Sequence, residues 1–179
     1  NCKYTIVDLP QTLIFSFIHL SLCFPDKKIL FVTNEEEALH INNNYDIILL
    51  PPIFMNYLKG KKYDVFINCA SMGEMNNTTI RKYMYFIQND IKIETLFTLN
   101  RFLNTVDDNL ISLRINQNEC SVLYDDKWNI LSWEVEPIYC RCPYIDATHA
   151  RYVEIIASRP EKQLTNDEKV NKSTELLQD

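Results

Sequence analysis

Apolar residues along this chain fall into short dense runs separated by polar turns, and the length and spacing of the runs sort strands from helices. Lys3 to Val7 reads as a strand that stops at Asp8. Pro10 stands where the first turn of a helix tolerates it, and the helix it opens continues to about Phe24. That helix is apolar around most of its circumference, through Leu13, Ile14, Phe17, Ile18, Leu20 and Leu22, which predicts packing on a sheet. Pro25 and Asp26 end it, and Lys28 to Thr33 forms the next strand, so the chain opens with a βαβ unit.

Asn34 to Ile41 predicts a short helix or turn, with Glu35, Glu36 and Glu37 favourably placed in a first helical turn and solvated there. Asp46 to Leu50 is an apolar strand stopped by Pro51 and Pro52, and Phe54 to Leu58 suits one helical turn. Val65, Phe66, Ile67, Cys69 and Ala70 then make a nearly continuous apolar run, the pattern of a central parallel strand covered on both faces. It runs into a polar turn with Ser71, Gly73, Glu74, Asn76 and Asn77.

Beyond the turn, Ile80, Tyr83, Met84 and Ile87 recur at helical spacing and predict a helix over Thr78 to Asn89. Thr95, Phe97 and Leu99 alternate in a strand that ends at Asn100 and Arg101. Residues 102 to 127 are rich in Asn and Asp, with short strands predicted around Ile111 to Ile115 and Ser121 to Tyr124. Trp128 to Val135 and Tyr152 to Ala157 predict two further strands, near each other at a sheet edge. After Pro160 the chain is polar and charged, which predicts a solvated helix or disordered tail. The order of elements predicts one α/β domain over residues 1–160, followed by a tail over 161–179.

Composition narrows the function classes. The chain has 179 residues, enough for one domain with a real core, and 18 Lys plus Arg against 24 Asp plus Glu give a net charge of -6. No basic block or aromatic-basic stripe is present, which argues against a nucleic-acid partner. The longest apolar stretch, Leu13 to Phe24, carries His19 and is too short for a membrane span, and no export signal is seen. The six cysteines follow neither a disulfide framework nor paired zinc knuckles, so a reducing cytoplasm fits best. Cys140 and Cys142 near His149 lack a fourth ligand and the usual spacing, and no metal is expected. With only two glycines, Gly60 and Gly73, the chain has no glycine-rich loop of the kind that brings backbone close to a nucleotide-like cofactor.

In open α/β sheets ligands bind at the carboxyl ends of strands, which makes the polar groups after the Val65 to Ala70 run, Ser71, Gly73, Glu74, Asn76 and Asn77, the first candidates for a site. The same residue types also serve as turn formers and helix caps, and both roles stand open at each position. His19 lies in an apolar helix and suits packing better than catalysis. Trp128, Trp133 and Tyr139 offer flat aromatic faces for stacking, although aromatics in strands more often pack.

YTIVDLPQTL with its apolar helix, YDVFINCASMGEM, TLFTLNRF and the closing YVEIIASRP resemble the sugar O-methyltransferases, which use S-adenosyl-L-methionine and have the class I methyltransferase fold. The similarity covers most of residues 3–160, and INCASMGEM is its most specific part. It implies a Rossmann-like, three-layer α/β/α arrangement around a mostly parallel, seven-stranded sheet with an antiparallel last strand. In that scheme Lys3 to Val7 is the second strand, Val65 to Ala70 the fourth and Thr95 to Leu99 the fifth. The first strand and its glycine-rich loop would precede Asn1.

The resemblance implies that Asp8, followed by Leu9 and Pro10, accepts hydrogen bonds from the cofactor ribose, and that Asn34 lies near the adenine. It implies further that Asn68, Ser71 and Glu74 form the polar strand end where the methyl donor meets the acceptor hydroxyl. Glu74 would be the base or acceptor-orienting group, and Asn100 and Arg101 would contact a sugar or polysaccharide acceptor. Two other readings stay open: a non-catalytic methyltransferase-fold interaction module, favoured by the missing glycine-rich loop, and a nucleotide-sugar glycosyltransferase, for which Asp107 and Asp108 would be the acidic pair.

Overall fold

The computed structural model describes residues 2–41, 44–72, 75–101, 124–135 and 152–159. The predicted strand at 111–115, most of the one at 121–124 and the tail at 161–179 lie outside them. The chain divides into two compact units, Asn1–Lys61 and Lys62–Asp179.

The first unit holds β1 (Tyr4–Val7), α1 (Pro10–Cys23), β2 (Ile29–Phe31), α2 (Glu35–Leu39), β3 (Ile47–Leu50) and a 3-10 helix (Pro52–Leu58). Its sheet is parallel with the order β1-β3-β2. The βαβ unit predicted from the sequence therefore crosses over β3, and its two strands are not neighbours. β3 is buried along its whole length because it has a strand on each side. Leu13 of α1 packs with Ile47 and Leu49, joined by Ile6, Leu20, Ile29 and Phe31, and burying a side chain of that size is worth about 2 kcal/mol.

Helix α1 does pack on the sheet, but through one face only. Phe17 meets Phe31 with ring centroids 5.8 Å apart, whereas Phe15, Ile18 and Leu22, on the opposite side of the helix, are exposed. The ends of the short strands are tied by carboxylates. Asp46 accepts from the Lys28 backbone N–H at 3.0 Å and pairs with Lys27 at 3.6 Å, so its carboxyl is held below its ordinary pKa, chiefly by the Lys28 bond.

The second unit holds β4 (Lys62–Cys69), α3 (Asn77–Tyr85) continued by a π-helix (Phe86–Asp90), β5 (Lys92–Arg101), β6 (Asn129–Val135) and β7 (Tyr152–Ser158). The sheet order is β4-β5-β7-β6. β4 and β5 are parallel, and β7 runs antiparallel to both β5 and β6. The molecule is thus α/β with parallel and mixed sheets.

Three sequence expectations need correction here. β4 is an edge strand among the described residues, not a strand covered on both faces, and its Val65 and Ile67 are 50% and 51% exposed. An apolar run specifies a strand without specifying its place in the sheet, which non-local pairing decides. In β5 the most buried positions are Ile93, Leu96 and Thr98 rather than the alternating set Thr95, Phe97 and Leu99. The helix predicted over 78–89 changes pitch at Phe86, where the Ile91 N–H bonds to the Phe86 carbonyl at 3.2 Å. That wider turn buries Phe86, Ile87 and Gln88 in succession.

Candidate functional site

In the first unit, Asp8 and Asn34 both follow the carboxyl ends of parallel strands. Asp8 Oδ1 accepts the Leu9 N–H at 2.7 Å, and the other carboxylate oxygen makes no hydrogen bond among the described residues. Leu9 is the N-cap position of α1, is mostly exposed and gives no side-chain cap, so Asp8 turns the chain into the helix from one residue further back. Asn34 has a defined structural use. Its Oδ1 accepts the Glu37 N–H at 2.9 Å, capping α2. Glu37 reaches back to take the Thr33 N–H at 2.6 Å and the Thr33 hydroxyl at 2.8 Å, a variant of the capping box that lowers its pKa, with the Thr33 backbone bond as the main cause.

In the second unit, the ends of β4 and β5 bring Asn68, Ser71 and Asn100 together. Asn100 Oδ1 accepts the Met72 N–H at 3.1 Å, and Asn100 Nδ2 donates to Asn68 Oδ1 at 3.0 Å. Asn68 Nδ2 in turn donates to Ser71 Oγ at 2.6 Å. The turn between them leaves β4 through Ala70, whose φ of 57° is left-handed, and the Ala70 N–H is fixed to the Leu99 carbonyl at 2.7 Å. A left-handed conformation at a residue with a Cβ is strained and persists because its surroundings impose it. Beside it, burial raises the pKa of the Cys69 thiol and the Glu154 carboxylate adds to the rise, so the thiol stays protonated at neutral pH.

Glu74 lies outside the described residues, as do Asp107, Asp108, Tyr139, Cys140, Cys142 and His149. Arg101 closes β5 with its backbone, and its side chain lies outside them too. His19 is exposed on α1, with Nε2 3.6 Å from Cys23 Sγ. Trp133 is exposed on β6, whereas Trp128 is buried. Among the described residues no three His, Cys, Asp or Glu side chains group to hold a metal, and no helix is long and apolar enough to cross a membrane.

The sequence reading did not identify the bracing of the Ala70–Met72 turn by Asn100 or the left-handed Ala70. It also missed a polar cluster at the opposite end of the same sheet. There Gln88 Oε1 accepts from the Asp125 N–H at 2.7 Å and from Trp128 Nε1 at 3.0 Å. Arg159 donates to the Gln88 carbonyl at 2.6 Å, pairs with Asp125 and stacks 4.6 Å from the Trp128 ring centre. The only trace of this cluster in the sequence is the arginine directly after the last strand.

No family model and no curated protein matches the chain. A solved structure described as "Putative methyltransferase yhhF from Escherichia coli" is similar over 90% of this chain and 65% of its own, at 7% identity and a TM-score of 0.49. This chain therefore spans 65% of the length of the structure it matches, and a likeness at that TM-score leaves the argument to the strand order and the site residues.

Proposed function

We propose that this chain is the sheet portion of an S-adenosyl-L-methionine-dependent O-methyltransferase that acts on a sugar hydroxyl, in the assembly of a surface polysaccharide. The observation that carries the reading is the order β4-β5-β7-β6, with one reversed strand between parallel partners and a polar cluster at the shared end of β4 and β5. The resemblance of INCASMGEM to the sugar O-methyltransferases supports the substrate class. In the second unit the Ser71 hydroxyl is a donor of the type the cofactor needs, and the resemblance gives Asp8 the separate task of accepting from the vicinal ribose hydroxyls. When bound, the cofactor supplies an electrophilic methyl group for in-line displacement. The protein's part is to align donor and acceptor and to help remove the hydroxyl proton, a task for which the resemblance makes Glu74 the candidate.

One observation favours a second reading, a non-catalytic interaction module. Asn34, Asn68 and Asn100 all spend their side chains on local structure. Calorimetric titration of S-adenosylhomocysteine separates the two. The methyltransferase reading expects binding by the wild-type chain, weakened about tenfold to a hundredfold by Asp8→Ala. No binding favours the interaction module, and binding indifferent to Asp8→Ala removes the ribose role. In methyl-transfer assays Glu74→Gln should slow turnover about a hundredfold or more, and unchanged turnover removes Glu74 from catalysis.

A further inference from the structure

We propose that Asn100 and Asn68 form a relay of fixed direction that makes the Ser71 hydroxyl a hydrogen-bond donor to an acceptor oxygen of the bound cofactor, a carboxylate above all. The ligand half of this inference rests on the cofactor reading given above. The relay half stands on hydrogen-bond geometry alone.

The direction is set at its start by a group that has no choice. A backbone N–H can only donate, so the Met72 N–H, 3.1 Å from Asn100, requires the carbonyl side of that amide. Asn100 must then present Nδ2 to Asn68, where it lies 3.0 Å from Oδ1 and 3.4 Å from the backbone carbonyl. Asn68, facing Asn100 with its oxygen, must point Nδ2 at Ser71 Oγ, 2.6 Å away. Reversing either amide sets two NH2 groups, or two oxygens, against each other.

Ser71 stands at the end of this chain. An isolated serine hydroxyl rotates freely between donating and accepting. Here one lone pair is taken by Asn68, and the hydroxyl proton has no partner among the described residues. It cannot turn back toward an NH2 group, so among the described residues nothing takes it and it is open to an incoming acceptor. The strained backbone at Ala70, with φ 57°, and the Ala70 N–H bond to Leu99 hold the hydroxyl at the carboxyl end of β4. A carboxylate satisfies that proton, whereas an ammonium leaves it unmet.

Asn100→Asp reverses the relay with little change of shape. One aspartate oxygen still accepts from Met72, but the other now faces Asn68. Asn68 must then turn its NH2 toward residue 100 and its oxygen toward Ser71, which spends its proton inward. Ser71→Ala removes the terminal donor without touching the first link.

The test has two arms. In the ligand-free 15N-labelled protein, Ser71→Ala should shift the Asn68 side-chain amide protons and leave those of Asn100 nearly in place. Asn68 amide protons that do not respond overturn the relay. In calorimetry with S-adenosylhomocysteine, Ser71→Ala and Asn100→Asp should each weaken binding about tenfold. The double variant should bind no worse than Ser71→Ala alone, because the aspartate acts through Ser71. Additive losses, or wild-type affinity in Ser71→Ala, overturn the assignment of Ser71 as the cofactor's donor. Wild-type protein that fails to bind S-adenosylhomocysteine overturns the cofactor reading and the ligand half with it, while the amide spectra still judge the relay.

Discussion

The two ends of the four-stranded sheet carry polar clusters of opposite character. At one end Arg159 joins the π-helix, the Asp125 turn and Trp128, combining a charged pair, a carbonyl bond and a ring contact in a partly buried setting. Among the described residues all of its buried side-chain polar atoms except Arg159 Nε are matched. At the other end the groups are uncharged amides, half-buried, with a strained alanine and a hydroxyl proton that has no partner among the described residues. The first arrangement spends its polar groups on holding elements together. The second holds a strained backbone and keeps one donor without a partner among the described residues, as a brace does not.

The comparison breaks most readily at Arg159. Arg159→Met takes a donor from the Gln88 carbonyl and from Asp125 Oδ2, and the expected loss is about 2 to 4 kcal/mol, discounted for the partial exposure of the pair. Thermal denaturation followed by circular dichroism measures it, and an unchanged melting temperature would mean that the cluster is not a brace. At the other end, Asn100→Ala leaves the Met72 N–H to water, and a smaller loss of about 1 kcal/mol is expected in the same measurement. A loss as large as that of Arg159→Met would make both ends structural. The smallest effect has the opposite sign. Ala70→Gly relieves the left-handed backbone and should stabilise the chain by about 0.5 to 1 kcal/mol, and a destabilised variant would show that the strain at Ala70 is absent in solution.

The sequence revealed the elements better than their arrangement. Strand positions were readable because apolar runs and turn residues are local signals, and each of the strands β1 to β7 overlaps a predicted run. Sheet order was readable only in part: β6 beside β7 at the edge and a reversed last strand were expected, whereas the place of β4 and the order β1-β3-β2 were not. The all-apolar pattern read for Val65 to Ala70 describes β3, whose Ile47, Ile48, Leu49 and Leu50 are all buried, and not β4, which has a strand on one side only among the described residues. Exposed Lys62 and Asp64 in β4 were the available warning.

Site residues divide in the same way. Asn68, Ser71 and Asn100 were identifiable as strand-end polar groups, because that follows from their positions in the chain. Their bonds to one another were not, since Asn100 is 28 residues from Met72 and 32 from Asn68. Gln88 and Arg159, 71 residues apart, left even less trace, because the helical periodicity of Ile80, Tyr83, Met84 and Ile87 continues smoothly into a segment whose hydrogen bonding has changed.

That change of pitch at Phe86–Asp90 constrains the chain in a way that residue identity does not express. The wide turn accommodates one residue more than an α-helix would and sets the rotation at which the chain enters β5. Shortening the segment by a single residue would close the wide turn to an α-helical one and change the rotation at which Gln88 meets Trp128, even with every side chain in the cluster retained. Here the number of residues is under as much restraint as their kind, so a substitution scan would pass over a segment that a one-residue deletion would expose.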